Sequence, residues 1–324
     1  MIGTEIVRLG WKARRGWGGA DYPSVDAPEV FPLDWRQHAA TADADGAVRR
    51  RSVEGPYVHP VETAFRIIAD LQTYALTSDA GEREAASAAV ARAVETLVRA
   101  QLADGSFRYP VPVRRYAVAP GWSSGMAQGL VHHAFSAGAT FLVPSSRERV
   151  RVSAELALEH LLTPVADGGC TDYDGAGRPF FEECPGRPLP YIFNGAVFAV
   201  LGLATSAQPR ALEAARSAAE RLAEMLPSWD LGYWSRYDLL DRTPSSPDYH
   251  NLHVELLRAL ARRYPDLPFA AAAGRFDAQR AVLRNRARAF STLAVSRLRA
   301  TVREPNARNG PGASRRDEPR EDLR

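Results

Sequence analysis

The stretch PVETAFRIIADLQTYALTSDAGEREAASAAVARAVETLVRAQLADGSFRY (60–109) decides the fold class. Val61, Phe65, Ile68, Leu71 and Leu76 keep the i, i+3, i+4 order of a helix with one apolar face. An Ala-rich helix over roughly 82–102 follows, and Asp104-Gly105 supplies the bend after it. The run Gln-x-x-Asp-Gly followed by aromatics is common between hairpins of α/α toroids, and it is equally a good turn on chemical grounds alone. Outward from this pair the same reading gives helices near 123–139 and 145–162, near 191–205 and 208–226, and near 249–263 and 270–300. Successive antiparallel helix pairs with long loops on one side predict a mainly α fold. The arrangement expected is an (α/α) toroid-like incomplete barrel whose inner helices line a cavity and whose loops at one rim build the site.

The flanks read differently. Residues 1–56 are rich in Gly, Pro, Asp and Trp without sustained periodicity, which predicts an irregular N-terminal arm, with a short hairpin or strand pair, packed across the main body. The toroid-like domain is assigned to 57–300. The tail 301–324 is charged and almost free of large apolar groups, so it is expected to be disordered. Segment 231–240 alternates large apolar and polar residues, as a short strand or loop edge does.

Composition narrows the function classes. The 324 residues are 45% hydrophobic and 24% charged, a mix of soluble globular chains that excludes disordered, collagenous and disulfide-stapled ones. Net charge is only +3, Lys12 is the sole lysine, and the arginines are scattered rather than gathered on one helix, which argues against a nucleic-acid partner. No apolar run is long enough for membrane insertion and no leader pattern opens the chain, so a cytoplasmic location is expected. Cys170 and Cys184, outside any C-x-x-C spacing, read as free thiols. No phosphate loop, dinucleotide fingerprint, nucleophile elbow or aspartate-rich diphosphate motif is present.

Long loops inside compact domains are usually functional, and 163–190 holds both cysteines and the pair Glu182-Glu183. Tyr237 and Tyr249 are either half-buried core aromatics or phenols of a site. Asn194 could cap a helix or bond a sugar hydroxyl. Trp122 could stack on a sugar face or anchor packing, and Gln128 is equally open. His250 and His253 share a helix face near Asp248 and Glu255, but H-x-x-H lacks the embedded base of a zinc protease motif. No metal is expected. His132-His133 read as structural.

Several segments taken together resemble the D-glucuronyl C5-epimerase family, specifically its C-terminal helical domain. They are PGWSSGMAQGL (120–130), RPFFEECP (178–185), YIFNGAVFAVLGL (191–203), WSRYDL (234–239) and DYHNLHVELL (248–257). The resemblance extends from about Tyr57 to Tyr264 and leaves little room for the β-rich region that precedes this domain in animal members, so it implies a short, bacterial-type version. It implies a cofactor-free enzyme that acts on a uronate-containing glycan, converting glucuronate to iduronate at C5. It carries catalytic roles onto Glu183, Tyr237 and Tyr249, and a homodimer is implied. Two positions depart from the family pattern: Cys184 stands where the family has a tyrosine, and Leu240 where it has an arginine.

Inverting a carbon beside a carboxylate needs a base on one face, an acid on the other and donors for the enediolate. A phenol starts near pKa ~10 and acts as a base only if a cation lowers it, so Arg236 and His250, sequence neighbours of the tyrosines, are the candidate cations. Cys184 could take the vacated acid/base place if its thiolate were stabilised. The binding set on this reading is Glu182, Asn194, Trp122, Gln128, Arg236 and His250. A uronate polysaccharide lyase is the enzymatic rival, since it removes the same proton, and a glycan-binding relative without catalysis is the non-enzymatic one.

Overall fold

A computed structural model describes residues 22–25 and 30–303. Among them are nine α-helices: α1 (Pro60–Leu76), α2 (Ala80–Ala100), α3 (Gly125–Gly138), α4 (Pro144–Leu162), α5 (Phe193–Ala204), α6 (Pro209–Trp229), α7 (Pro247–Arg263), α8 (Phe269–Ala281) and α9 (Leu283–Arg303). Two small antiparallel hairpins accompany them, β1 (Arg49–Ser52) with β2 (Gly55–Val58) and β3 (Thr171–Tyr173) with β4 (Pro179–Phe181). The mainly α expectation is met, and the expected helix pairs are found with the last helix divided in two.

Burial explains the layering. In α5 (FNGAVFAVLGLA) every residue is buried, and in α3 all but two are, so both are surrounded on all sides. By contrast α2 and α6 bury one face each, their Ala-rich stripes, and present the other to solvent. The principal helix contacts run α1 to α3, α3 to α5 and α5 to α7, while α2, α4, α6 and α8 each back the helix before them. The result is an inner arc of α1, α3, α5 and α7 with an outer layer. Small residues set its closest crossing: a Cβ on Gly129 would meet the Ala199 backbone at 2.5 Å, and one on Gly202 the Gly129 carbonyl oxygen at 2.4 Å.

The N-terminal arm lies deeper than a surface strap. Phe31 and Leu33 are fully buried, and the Trp35 ring stacks on Phe65 of α1 at 3.9 Å. Gln72, buried in α1, accepts from the Trp35 N–H and donates to the carbonyls of Phe31 and Leu33. One amide thus satisfies three arm groups that burial removes from water. The rest of the arm reading, 1–21 and 26–29, lies outside the described residues.

Two boundaries differ from expectation. The helix expected over 270–300 is divided at Val282, whose backbone is extended (ψ 116°), and the second piece runs to Arg303 rather than ending at 300. Thr301, Val302 and Arg303 contain no helix breaker, so composition alone marked the end too early. The tail reading for 304–324 lies outside the described residues. No helix among the described residues is long and apolar enough to cross a membrane.

Candidate active site

The site is assembled where three loops meet: 101–124, 182–192 and 230–246. Each follows or precedes an inner helix, so the arc fixes their ends. Tyr116, Cys184 and Ile192 form a buried apolar cluster, with Val113, Val118, Trp122 and Tyr237 packed on it. Glu183 sits at this junction, half-buried, and its carboxylate accepts from Asn194 Nδ2 at 3.3 Å. Asn194 is not a cap; α5 has Ile192 at its N-cap, and Asn194 lies within the first turn with its amide turned to Glu183. The other amide atom, Asn194 Oδ1, is buried without a hydrogen-bond partner. Gly195 beside it makes the space, since a Cβ there would lie 2.3 Å from Glu183 Oε2.

Tyr237 and Tyr249 lie together, ring centroids 4.6 Å apart and edge to face. Each phenol lies close enough to the other to bear on its ionisation. Both phenols are pushed above their ordinary value of 10, first by burial and then by the Glu183 charge. Burial also pushes the Glu183 carboxyl up to about 7. The expectation that a cation would lower a tyrosine is therefore corrected. Arg236 gives its two terminal guanidinium nitrogens to the carbonyls of Ser228 and Asp241, while its Nε is buried without a hydrogen-bond partner among the described residues. His250 accepts from the Ser235 N–H at Nδ1 and meets the Phe276 carbonyl at Nε2, and burial lowers it to about 3, so it is a neutral imidazole that fastens α7 to the 235 loop.

Glu182 and Glu183, adjacent at the end of β4, go to different places. Glu182 is fully buried and accepts from the Tyr191 N–H at 3.2 and 3.3 Å. Burial lifts it to about 8. Tyr191 has a left-handed backbone (φ 50°), held also by its hydroxyl on Asp172 and by Trp229 Nε1 on its carbonyl. Glu182 thus shapes the loop entering α5. Gln128, likewise committed to the fold, donates to the carbonyls of Gly105 and Ala157. Cys184 is buried, and burial followed by the two glutamates raises its thiol to about 12, which makes it a neutral thiol rather than the thiolate base considered above.

Trp122 stacks on Tyr109 at 4.3 Å and 11°, with Nε1 on the Val111 carbonyl. This brings in residues that sequence reasoning missed. Tyr109 and Tyr116 are buried, and the Glu183 charge is among the influences raising both phenols after burial itself. Tyr116 donates to buried Asp238 at 2.9 Å, and Arg115 reaches the same oxygen at 2.7 Å. Their signal was two tyrosines in a Pro-bounded, non-periodic loop beside the Trp122 motif. The Glu183 charge thus bears on four phenols, Tyr109, Tyr116, Tyr237 and Tyr249. His250 and His253 both meet Ser235 Oγ through Nδ1, at 2.8 and 2.9 Å. Among the described residues no group of three or more His, Cys, Asp or Glu is placed to hold a metal.

A carboxyl raised toward neutrality, with protonated phenols gathered at the same loop junction, has the group types that proton transfer requires. The chain belongs to the family described as D-glucuronyl C5-epimerase C-terminus, whose model matches residues 101–278. It is similar to the D-glucuronyl C5-epimerase of Caenorhabditis elegans, 29% identical over 205 residues that make up 55% of this chain and 33% of the relative. The chain thus spans about a third of that relative's length.

Proposed function

We propose that this protein is a uronate C5-epimerase, converting D-glucuronate residues of a heparosan-like or related glycan to L-iduronate. The observation that carries the reading is Glu183, raised to about 7 and held by Asn194, at the junction where Tyr237 meets Tyr249 edge to face. Near neutral pH a carboxyl of this kind is part ionised and a stronger base than an ordinary glutamate. Glu183 takes the C5 proton. The C–H electron pair moves into the uronate carboxylate, forming an enediolate. Tyr249, kept protonated because burial raises it above its ordinary value, delivers its proton to the opposite face of C5, and the phenolate formed lies against the Tyr237 ring. Glu183 then loses its proton to solvent and Tyr249 regains one. Asn194 orients Glu183 through Nδ2, and its unpartnered Oδ1 is an acceptor for a sugar hydroxyl. Trp122 offers a flat apolar wall for a ring.

The test is incubation with uronate oligosaccharides in D₂O. Deuterium entering C5 with iduronate formed is the expected result. A ligand that binds without exchange refutes the chemistry, and an unsaturated uronate absorbing in the ultraviolet identifies a lyase instead.

A further inference from the structure

A recess of about 180 Å³ opens beside this site, lined by Arg108, Trp122, Ser123, Gly169, Pro185 and Arg187. It is continuous with the site through two residues. Trp122 packs on the Tyr116–Cys184 cluster and also walls the recess, and Pro185 follows Cys184 directly. Pro185 is two residues from Glu183, a span of at most about 7 Å of chain. One glycan can therefore place neighbouring rings at both.

The charges around it are unevenly committed. Arg108 donates to the Asp104 carboxylate at 2.7 Å and to the Gly121 carbonyl at 3.4 Å, which holds it in place. Asp104 also takes the Ser106 hydroxyl and N–H, so its oxygens are well occupied. On the floor, Ser123 Oγ lies 2.8 Å from His160 Nε2 and 3.3 Å from Cys170 Sγ. Burial lowers His160 below its ordinary value, so the floor is uncharged. Arg187, on the exposed rim, has no hydrogen-bond or ion-pair partner among the described residues. A fixed guanidinium and an uncommitted one thus face a small recess with a tryptophan wall.

We propose that this recess is an anion subsite, in which Arg187 and Arg108 hold the carboxylate or sulfate of a sugar residue flanking the reacting uronate. Its physiological ligand rests on the epimerase reading; its anion chemistry rests on the recess alone. Arg187 is the clean position to change, because its side chain makes no hydrogen bond or ion pair among the described residues.

The first arm titrates inorganic sulfate into the intact protein, followed by tryptophan fluorescence, for wild type, Arg187→Ala, Arg187→Lys and Glu183→Gln. Saturable binding is expected, weakened about fivefold by Arg187→Ala, as loss of one exposed ion pair would do. Arg187→Lys should retain part of it and Glu183→Gln all of it. No saturable response, or an Arg187→Ala response equal to wild type, overturns the subsite. The second arm measures KM and kcat with unsulfated and N-sulfated uronate hexasaccharides. Arg187→Ala should raise KM about fivefold at low salt with kcat unchanged, the effect fading at high salt. The hexasaccharide showing the larger loss identifies carboxylate or sulfate as the group held. Arg187-dependent sulfate binding without exchange on any bound glycan retains the subsite and refutes the epimerase.

Discussion

Replacing Glu183 with glutamine should stabilise the protein while abolishing its chemistry, and the stabilisation should depend on pH. The carboxyl is moved by burial from its ordinary 4.5 to about 7. At 1.36 kcal/mol per unit, ionising it in the folded protein costs about 3 kcal/mol. Below about pH 4.5 both folded and unfolded chains carry the proton and the carboxyl costs nothing. As pH rises toward 7 the unfolded chain releases its proton first, so stability falls, and above 7 the full cost is present. Glutamine cannot ionise, and its carbonyl oxygen can still accept from Asn194 Nδ2. Thermal unfolding at pH 4, 6 and 8 reads the difference. At pH 8 the variant should melt about 5 °C higher, a shift scaled to a chain of this size, and at pH 4 the two should coincide. Glu182, raised to about 8, titrates in both proteins; because the Glu183 charge is among the influences raising it, its own cost eases in the variant and adds to the difference at pH 8. C5 exchange should fall by about 10²–10⁴, the usual loss for a general base. A variant less stable than wild type at pH 8, or an offset independent of pH, would show that Glu183 is not held near neutrality by burial and would remove the basis for its role.

The other predictions follow from the same geometry. The kcat of the wild type should rise with pH through about 7 as Glu183 ionises and hold until the phenols lose their protons above 10; a rate that peaks near pH 4 would exclude Glu183 as base. Tyr249→Phe should reduce exchange at least about 10²-fold. Because the ring keeps its contact with Tyr237, stability should move by no more than about 1 kcal/mol, and unchanged exchange would exclude Tyr249 as the acid. Gly195→Ala places a Cβ 2.3 Å from Glu183 Oε2, so it should cost about 1–3 kcal/mol and lower kcat by displacing the carboxylate; full activity would show that the carboxylate position does not matter.

The helix pairs were legible because their apolar spacing is a local property. Val61, Phe65 and Ile68 share a face whatever packs on it. The break at Val282 was not legible, since one extended residue between two helical stretches leaves the pattern on each side intact. Loop 103–120 carries no period, so nothing local says that Tyr109 and Tyr116 turn inward; Asp238, more than a hundred residues away, holds Tyr116. Likewise His250 and Arg236 were read as cations beside the tyrosines because they are sequence neighbours. On a helix, adjacent residues point about 100° apart, and His250 is turned away from Tyr249 toward Ser235 and Phe276. Gln128 shows the same limit, its partners at Gly105 and Ala157 being set only by the fold.

The two adjacent glutamates argue for function more strongly than either does alone. Both are raised by burial, so both make the ionised protein less stable than a chain with neutral residues there. For Glu182 the fold supplies a structural reason: it accepts the Tyr191 N–H and so sets the left-handed turn into α5. Among the described residues Glu183 has no such backbone partner, and its one side-chain hydrogen bond comes from an amide whose other end is itself unsatisfied. Gly195, beside that side chain, leaves the space Glu183 occupies. A buried carboxyl, an orphaned amide oxygen and a glycine that clears room for them each cost stability. A substrate hydroxyl donating to Asn194 Oδ1 and a carbon acid presented to Glu183 would engage both groups, and packing alone accounts for neither.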